Sequence, residues 1–223
     1  MIKLIIFDWD DVFTLGSKEA YVYCYHKALE RVGVNLDPDE EKKRVFARWG
    51  WPFEEVIKLL LDEHLEKVEE AARAYEQALL GNSFVSRLTL VPGSIELLER
   101  LNKKYKMAIV SGINPSLLLN KVMPRFNIPY VFSDIVSVYG IPKPEYARPH
   151  PYMAQEILKH LNMSPEETIL VGDAASDMQL AKNAGLTPVT VLTGHLIKPE
   201  AEAMGVKYII PDVTHLEEVL KQV

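Results

Sequence analysis

Short apolar runs that stop abruptly at polar residues recur along the chain. MIKLIIFD (1–8) sets the form, MAIVSG (107–112), TILVGD (168–173) and PVTVLTG (188–194) repeat it, and VKYII (206–210) resembles it. Runs this short, rich in Ile and Val, predict strands buried on both faces. Between several of them lie SIELLERLNKKY (94–105), PYMAQEILKHL (151–161) and SDMQLAKNAG (176–185), whose apolar spacing predicts amphipathic helices. Buried strands alternating with helices imply an α/β fold with a parallel sheet covered on both faces, a three-layer core.

Residues 17–83 break that alternation. SKEAYVYCYHKALERVG opens on Ser17, a residue type suited to capping, and keeps helical periodicity to Gly33. Asp37-Pro38 opens DEEKKRVFARWG, Pro52 opens FEEVIKLLLDEH, and LEKVEEAARAYEQALLG follows; proline is compatible with a first helical position. About four helices without an intervening strand therefore sit inside the α/β pattern. The predicted division is a core of residues 1–16 and 84–223 and an all-helical insert of residues 17–83.

The best-defined strands end in Asp8, Ser111 and Asp173. In open α/β sheets ligands sit beyond the carboxyl ends of the strands, so these residues are expected to share one crevice. Asp10 follows Asp8 at a spacing that points both side chains the same way on an extended strand, and Asp173 is followed by Asp177. Carboxylates crowded together raise one another's pKa unless a positive charge intervenes. A hard divalent cation with oxygen ligands answers that problem, and Mg²⁺ is the usual choice beside a phosphate. Taken singly, Asp10 or Asp11 could begin a turn, and Asp177 could complement a helix dipole; four converging acids point to a metal site.

Composition narrows the field. The chain has 223 residues, 48% of them hydrophobic and 25% charged, with a net charge of −6. No basic cluster marks a nucleic-acid surface. No apolar run approaches the roughly 20 residues that span a bilayer, and a strand pattern begins at the N-terminus where a leader would need a basic region, so a cytoplasmic protein without membrane contact is expected. Cys24 is the single cysteine, which excludes an internal disulfide; its setting in YVYCYH reads as packing. Oligomeric state is not legible.

In order and spacing, these motifs resemble those of the haloacid dehalogenase superfamily, in its phosphatase form with a helical cap of the first cap type. DWDDV (8–12) is similar to the family's Asp-x-Asp-x-Thr/Val motif, MAIVSG to its apolar strand ending in Ser or Thr, and GDAASD (172–177) to its acidic motif. RPHP (148–151) stands where the family carries Lys-Pro-x-Pro. The likeness covers the whole chain and implies a Rossmann-like core with an inserted cap. It further implies a Mg²⁺-dependent phosphatase acting on a small phosphorylated metabolite. Asp8 would be the nucleophile, forming an aspartyl-phosphate, and Asp10 the general acid and base. Asp8, the Asp10 carbonyl and Asp173 would hold the metal, with Asp177 a ligand or a partner through water. The backbone amides after Asp8, beginning with Trp9, together with Ser111, Gly112 and Arg148, would grip the phosphoryl group.

Two positions depart from the pattern. Asp11 stands where the family usually has Gly, adding negative charge and constraining a loop. Arg148 replaces a lysine, with Lys143 five residues upstream as the competing cation; arginine is bulkier and binds oxygens in pairs. His150 and His195 read as loop residues. In the insert, RWGWPFEEV (48–56) resembles the Gly-x-Pro stretch that faces the active site in related caps, making Arg48, Trp49 and Trp51 candidates for substrate specificity, although the tryptophans could equally pack the cap helices. A phosphomutase would share this site, and a weak metal- and phosphate-binding module is the alternative outside catalysis. A metal-free dehalogenase is disfavoured, having no need of Asp10 or Asp173.

Overall fold

Six strands form one parallel sheet in the computed structural model, which describes all 223 residues. In chain order the strands are β1 (Leu4–Phe7), β2 (Thr14–Leu15), β3 (Thr89–Leu90), β4 (Lys106–Ser111), β5 (Asp134–Ser137), β6 (Thr168–Gly172), β7 (Thr187–Val191) and β8 (Tyr208–Ile210). The six-stranded sheet runs β5-β4-β1-β6-β7-β8, and every pair in it is parallel. β2 and β3 form a separate antiparallel ribbon, Thr14 opposite Leu90 and Leu15 opposite Thr89.

This order places β1 between β4 and β6, where successive connections run off in opposite directions. The crevice at its carboxyl end is therefore the topological switch point. All four residues of β1 are fully buried, as parallel central strands require. Helices Ser94–Leu101, Tyr152–Leu161 and Ala175–Asn183 each bury an apolar face, such as Met153, Ala154, Ile157 and Leu158 in the second. The pattern that suggested a helix to residue 105 ends at Leu101, since Asn102-Lys103-Lys104 offers nothing to bury.

The sequence pattern did not reveal β5. It is an edge strand in which only Ser137 is fully buried, so DIVS lacks the apolar run that marks the central strands. Nor did it reveal the two-residue strands of the ribbon.

The chain divides into two compact units, Met1–Leu15 with Thr89–Val223, and Gly16–Leu88. The second unit holds α1 (Ser17–Arg31), α2 (Pro38–Ala47), α3 (Phe53–Leu61), α4 (Val68–Leu79) and α5 (Asn82–Val85). Asp37 caps α2, accepting from the Asp39 and Glu40 amides, with Pro38 in its first turn. Ser17 does not cap α1: it is that helix's first residue, and Gly16 precedes it with φ +87°. A Cβ on Gly16 would lie 2.7 Å from the Arg87 carbonyl oxygen, so glycine is required there twice over. Rings of Tyr25, Tyr75 and Phe53 stack at 4.5 and 4.8 Å in this unit's interior. Cys24 is buried beside them in sequence, and burial pushes its thiol up to about 12, so it packs and does not react. No helix is long and apolar enough to cross a membrane.

Candidate active site

β1 delivers Asp8 to the switch point, and the Asp8 amide still donates to Val171 O at 2.8 Å, fixing it against β6. The chain then turns sharply. Val12 and Phe13 amides donate to Trp9 O, and Asp11 N–H donates to Thr14 O at 2.7 Å. Asp11 takes φ +56°, the left-handed conformation glycine would favour and one that Asp adopts more readily than most residues. Asp11 thus takes the left-handed backbone that a glycine would adopt freely. Trp9 anchors the loop: its ring is wholly buried, 5.2 Å from Phe13 and 6.2 Å from Phe132. Its amide donates to Asp8 Oδ1 at 2.7 Å.

Asp173 follows β6 directly, and Asp177 lies in the first turn of Ala175–Asn183. Asp177 Oδ2 accepts from Ala174 N–H at 3.1 Å, so its predicted helix-start role coexists with its place in the site. Asp173 Oδ2 accepts from His195 N–H at 2.9 Å and its carbonyl accepts from Leu196 N–H at 2.7 Å. Two glycines make this possible. A Cβ on Gly194 would fall on top of Asp173 Oδ2, and one on Gly172 would fall 2.5 Å from Asp177 Cβ.

Arg148, 3% exposed, enters between these acids. Its Nη1 stands 2.8 Å from Asp8 Oδ2 and donates to Asp177 Oδ1 at 2.5 Å. Its Nε is buried without a protein hydrogen-bond partner, a donor still unspent. Lys143, the competing cation, is exposed.

Ligand oxygens of Asp8, Asp173 and Asp177 lie within 4.8 Å of one another. Burial, then the charges of Asp177 and Asp8, push the Asp173 carboxyl well above its ordinary range. Burial also raises Asp177, to about 6, because the pull of Arg148 does not overcome it. For Arg148 burial opposes the charge, but Asp177 and Asp8 outweigh it and hold the guanidinium protonated. Arg148 pairs with Asp8 and Asp177, and Asp173 beside them has no such partner. The all-oxygen donor set and the surplus negative charge fit a hard divalent ion.

Ser111 ends β4 and is fully buried, its Oγ accepting from Ile113 N–H at 3.2 Å; Gly112 follows it. Asp10, also buried, bridges to Thr14. His195 and Asp11 were not foreseen together: with Asp173 they form a second group of ligand atoms within 4.8 Å. The only sequence signal was His195 following a glycine after an apolar strand, which did not say that its loop folds back on Asp173. In the helical unit, Trp49 meets Tyr21 and Phe46 edge-on at 5.6 and 5.4 Å, the packing alternative, while the Arg48 guanidinium covers the Trp51 ring at 4.1 Å.

Residues 2–185 match the family model described as haloacid dehalogenase-like hydrolase. The chain belongs to that family. It is 30% identical to the glyceraldehyde 3-phosphate phosphatase of Pyrococcus furiosus over 99% of this chain and 94% of that protein. It superposes on a haloacid dehalogenase-like hydrolase from Bacteroides fragilis with TM-score 0.80 and 21% identity, covering 97% and 100% of the two chains. The β-phosphoglucomutase of Clostridium difficile shares the fold, with TM-score 0.75 and 22% identity over 99% and 96%. Family membership with full-length phosphatase relatives makes the chain an enzyme of the phosphatase type.

Proposed function

We propose that this member of the family is a Mg²⁺-dependent phosphatase that hydrolyses a small phosphorylated metabolite through an aspartyl-phosphate on Asp8. The observation that carries the reading is Asp8 at the switch point, 2.8 Å from Arg148 and within reach of Asp173 and Asp177. A full-length relative named for a three-carbon phosphate supports the substrate class.

In this reading an Asp8 oxygen attacks phosphorus, the bond to the leaving oxygen breaks, and Asp10 gives that oxygen a proton. Asp10 then takes a proton from water as the water attacks the phosphoryl group, and inorganic phosphate leaves Asp8 free again. Asp8, Asp173, the Asp10 carbonyl and Asp177, directly or through water, would hold the metal. When bound, Mg²⁺ neutralises charge on the phosphoryl oxygens. Arg148 countercharges Asp8 in the resting enzyme, and its spare Nε–H is a donor for a phosphoryl oxygen. Ser111, Gly112 and the Trp9 amide complete the grip; the Trp9 amide would move its hydrogen bond from Asp8 to the substrate. Arg48, Trp49 and Trp51 of the helical insert are the candidates for substrate specificity.

A phosphate-release screen of small phosphorylated metabolites, with Mg²⁺ and with chelator, tests the reading. Release that needs the metal is expected. Transfer between hydroxyls without net release would instead make the enzyme a mutase, and release unaffected by chelator would remove the metal from the account.

A further inference from the structure

The segment carrying Arg148 is braced from outside the site. His150 N–H donates to Ala147 O at 2.9 Å, closing the turn that holds Arg148 and Pro149. The Pro149 carbonyl accepts from Asn183 Nδ2 at 2.9 Å. Asn183 ends the same helix, Ala175–Asn183, whose first turn supplies Asp177. One helix therefore touches the segment twice: Asp177 takes the guanidinium and Asn183 takes the backbone next to it. His150 Nδ1 accepts from Tyr152 N–H at 3.1 Å, which leaves the proton of the neutral ring on Nε2. The His150 ring lies 4.9 Å from Tyr146, and Tyr146 stacks on Tyr152 at 4.9 Å and 22°. This bracket joins residues on both sides of Arg148.

An arginine has many rotamers, and a shift of about 1 Å in its backbone is enough to spoil a single-nitrogen contact such as Nη1 to Asp8. We propose that His150 and Asn183 are positioning residues: neither meets a reacting atom, and both act by fixing the backbone from which Arg148 reaches Asp8. The proposal rests on the reading of Arg148 as the countercharge of the nucleophile. It predicts that their effect is routed through that side chain.

The test combines a spectroscopic and a kinetic arm on the full-length protein. With isotope-labelled arginine, the guanidinium resonance of Arg148 is assigned by its loss in Arg148→Lys. It is expected to be slowly exchanging in the wild type and averaged in Asn183→Ala and His150→Ala. His150→Asn should restore it, because Asn Oδ1 can replace Nδ1 as acceptor. This arm needs no turnover, so it decides the proposal even if the chain releases phosphate from no substrate. With p-nitrophenyl phosphate, each alanine variant should lower kcat/KM about fivefold, the worth of one hydrogen bond. The loss should vanish in an Arg148→Ala background, where there is nothing left to position. Asn183 is exposed, so its truncation leaves the fold intact. An unchanged Arg148 resonance in both variants, or losses that add in full to that of Arg148→Ala, overturns the proposal.

Discussion

Arg148 reaches Asp8 through one nitrogen, Nη1 at 2.8 Å from Oδ2, and that nitrogen also serves Asp177 Oδ1 at 2.5 Å. One arm of the guanidinium thus countercharges two buried acids. Arg148→Ala should cost about 3–5 kcal/mol of stability, as removal of one partner from a buried ion pair does, and turnover should fall steeply. Arg148→Lys should be tolerated and could raise turnover, since an ammonium is a compact point charge. Lys143→Ala should leave rates unchanged, because that side chain is exposed. Kinetics of the three variants side by side check this; collapse in Lys143→Ala with normal rates in Arg148→Ala would reverse the assignment.

Asp10→Asn separates metal binding from proton transfer. The variant keeps the backbone carbonyl and loses the proton carrier, so kcat should drop on the order of a hundredfold or more while Mg²⁺ affinity holds. Wild-type turnover with normal metal binding would refute the acid–base role.

Gly194 is expected to be intolerant. In Gly194→Ala the new Cβ meets Asp173 Oδ2, which the His195 amide pins in place, so the carboxylate must move. A loss of about 1–3 kcal/mol in stability follows, with weakened Mg²⁺ binding measured by calorimetry. Unchanged metal affinity would mean Asp173 is not a ligand.

The raised carboxyls give the metal-free protein a pH signature. Asp177 titrates near 6 in the folded protein against 3.8 ordinarily, and Asp173 is also raised well above 3.8. Between the ordinary value and the raised one, the folded protein holds protons that the unfolded chain has released. Stability in chelator should therefore fall as pH rises from about 4 through about 6 while Asp177 ionises, and the raised Asp173 carboxyl adds to the fall in the same direction. Mg²⁺ needs those carboxylates ionised, so its stabilisation should grow over the same window. Thermal melts with chelator and with Mg²⁺ across this range check both slopes.

Much of this architecture is legible because burial on both faces leaves a plain trace: β1, β4 and β6 are apolar runs, and the polar residues at their ends, Asp8, Ser111 and Asp173, can be read in order. Elements whose stability is borrowed leave none. β5 is a half-exposed edge strand held by β4, and nothing in its four residues announces it. His195 comes to Asp173 by donating its backbone N–H to the Asp173 carboxylate from a loop 22 residues away, a relation no local pattern encodes. Asp11 was readable as a departure but not as a left-handed residue, since that φ is set by the turn closing on Thr14. Ser17 carried the chemistry of a cap and was displaced from it by a glycine that the Arg87 carbonyl crowds.

Covalent capture tests the central claim most directly. The enzyme is mixed with a substrate it turns over in Mg²⁺, quenched in acid during the steady state, and mapped by mass spectrometry. The account predicts one phosphoryl group on the peptide containing Asp8, absent from Asp8→Asn, which should also be folded and inactive. Turnover with no phosphoryl group on the chain, or with the group on another residue, would contradict it.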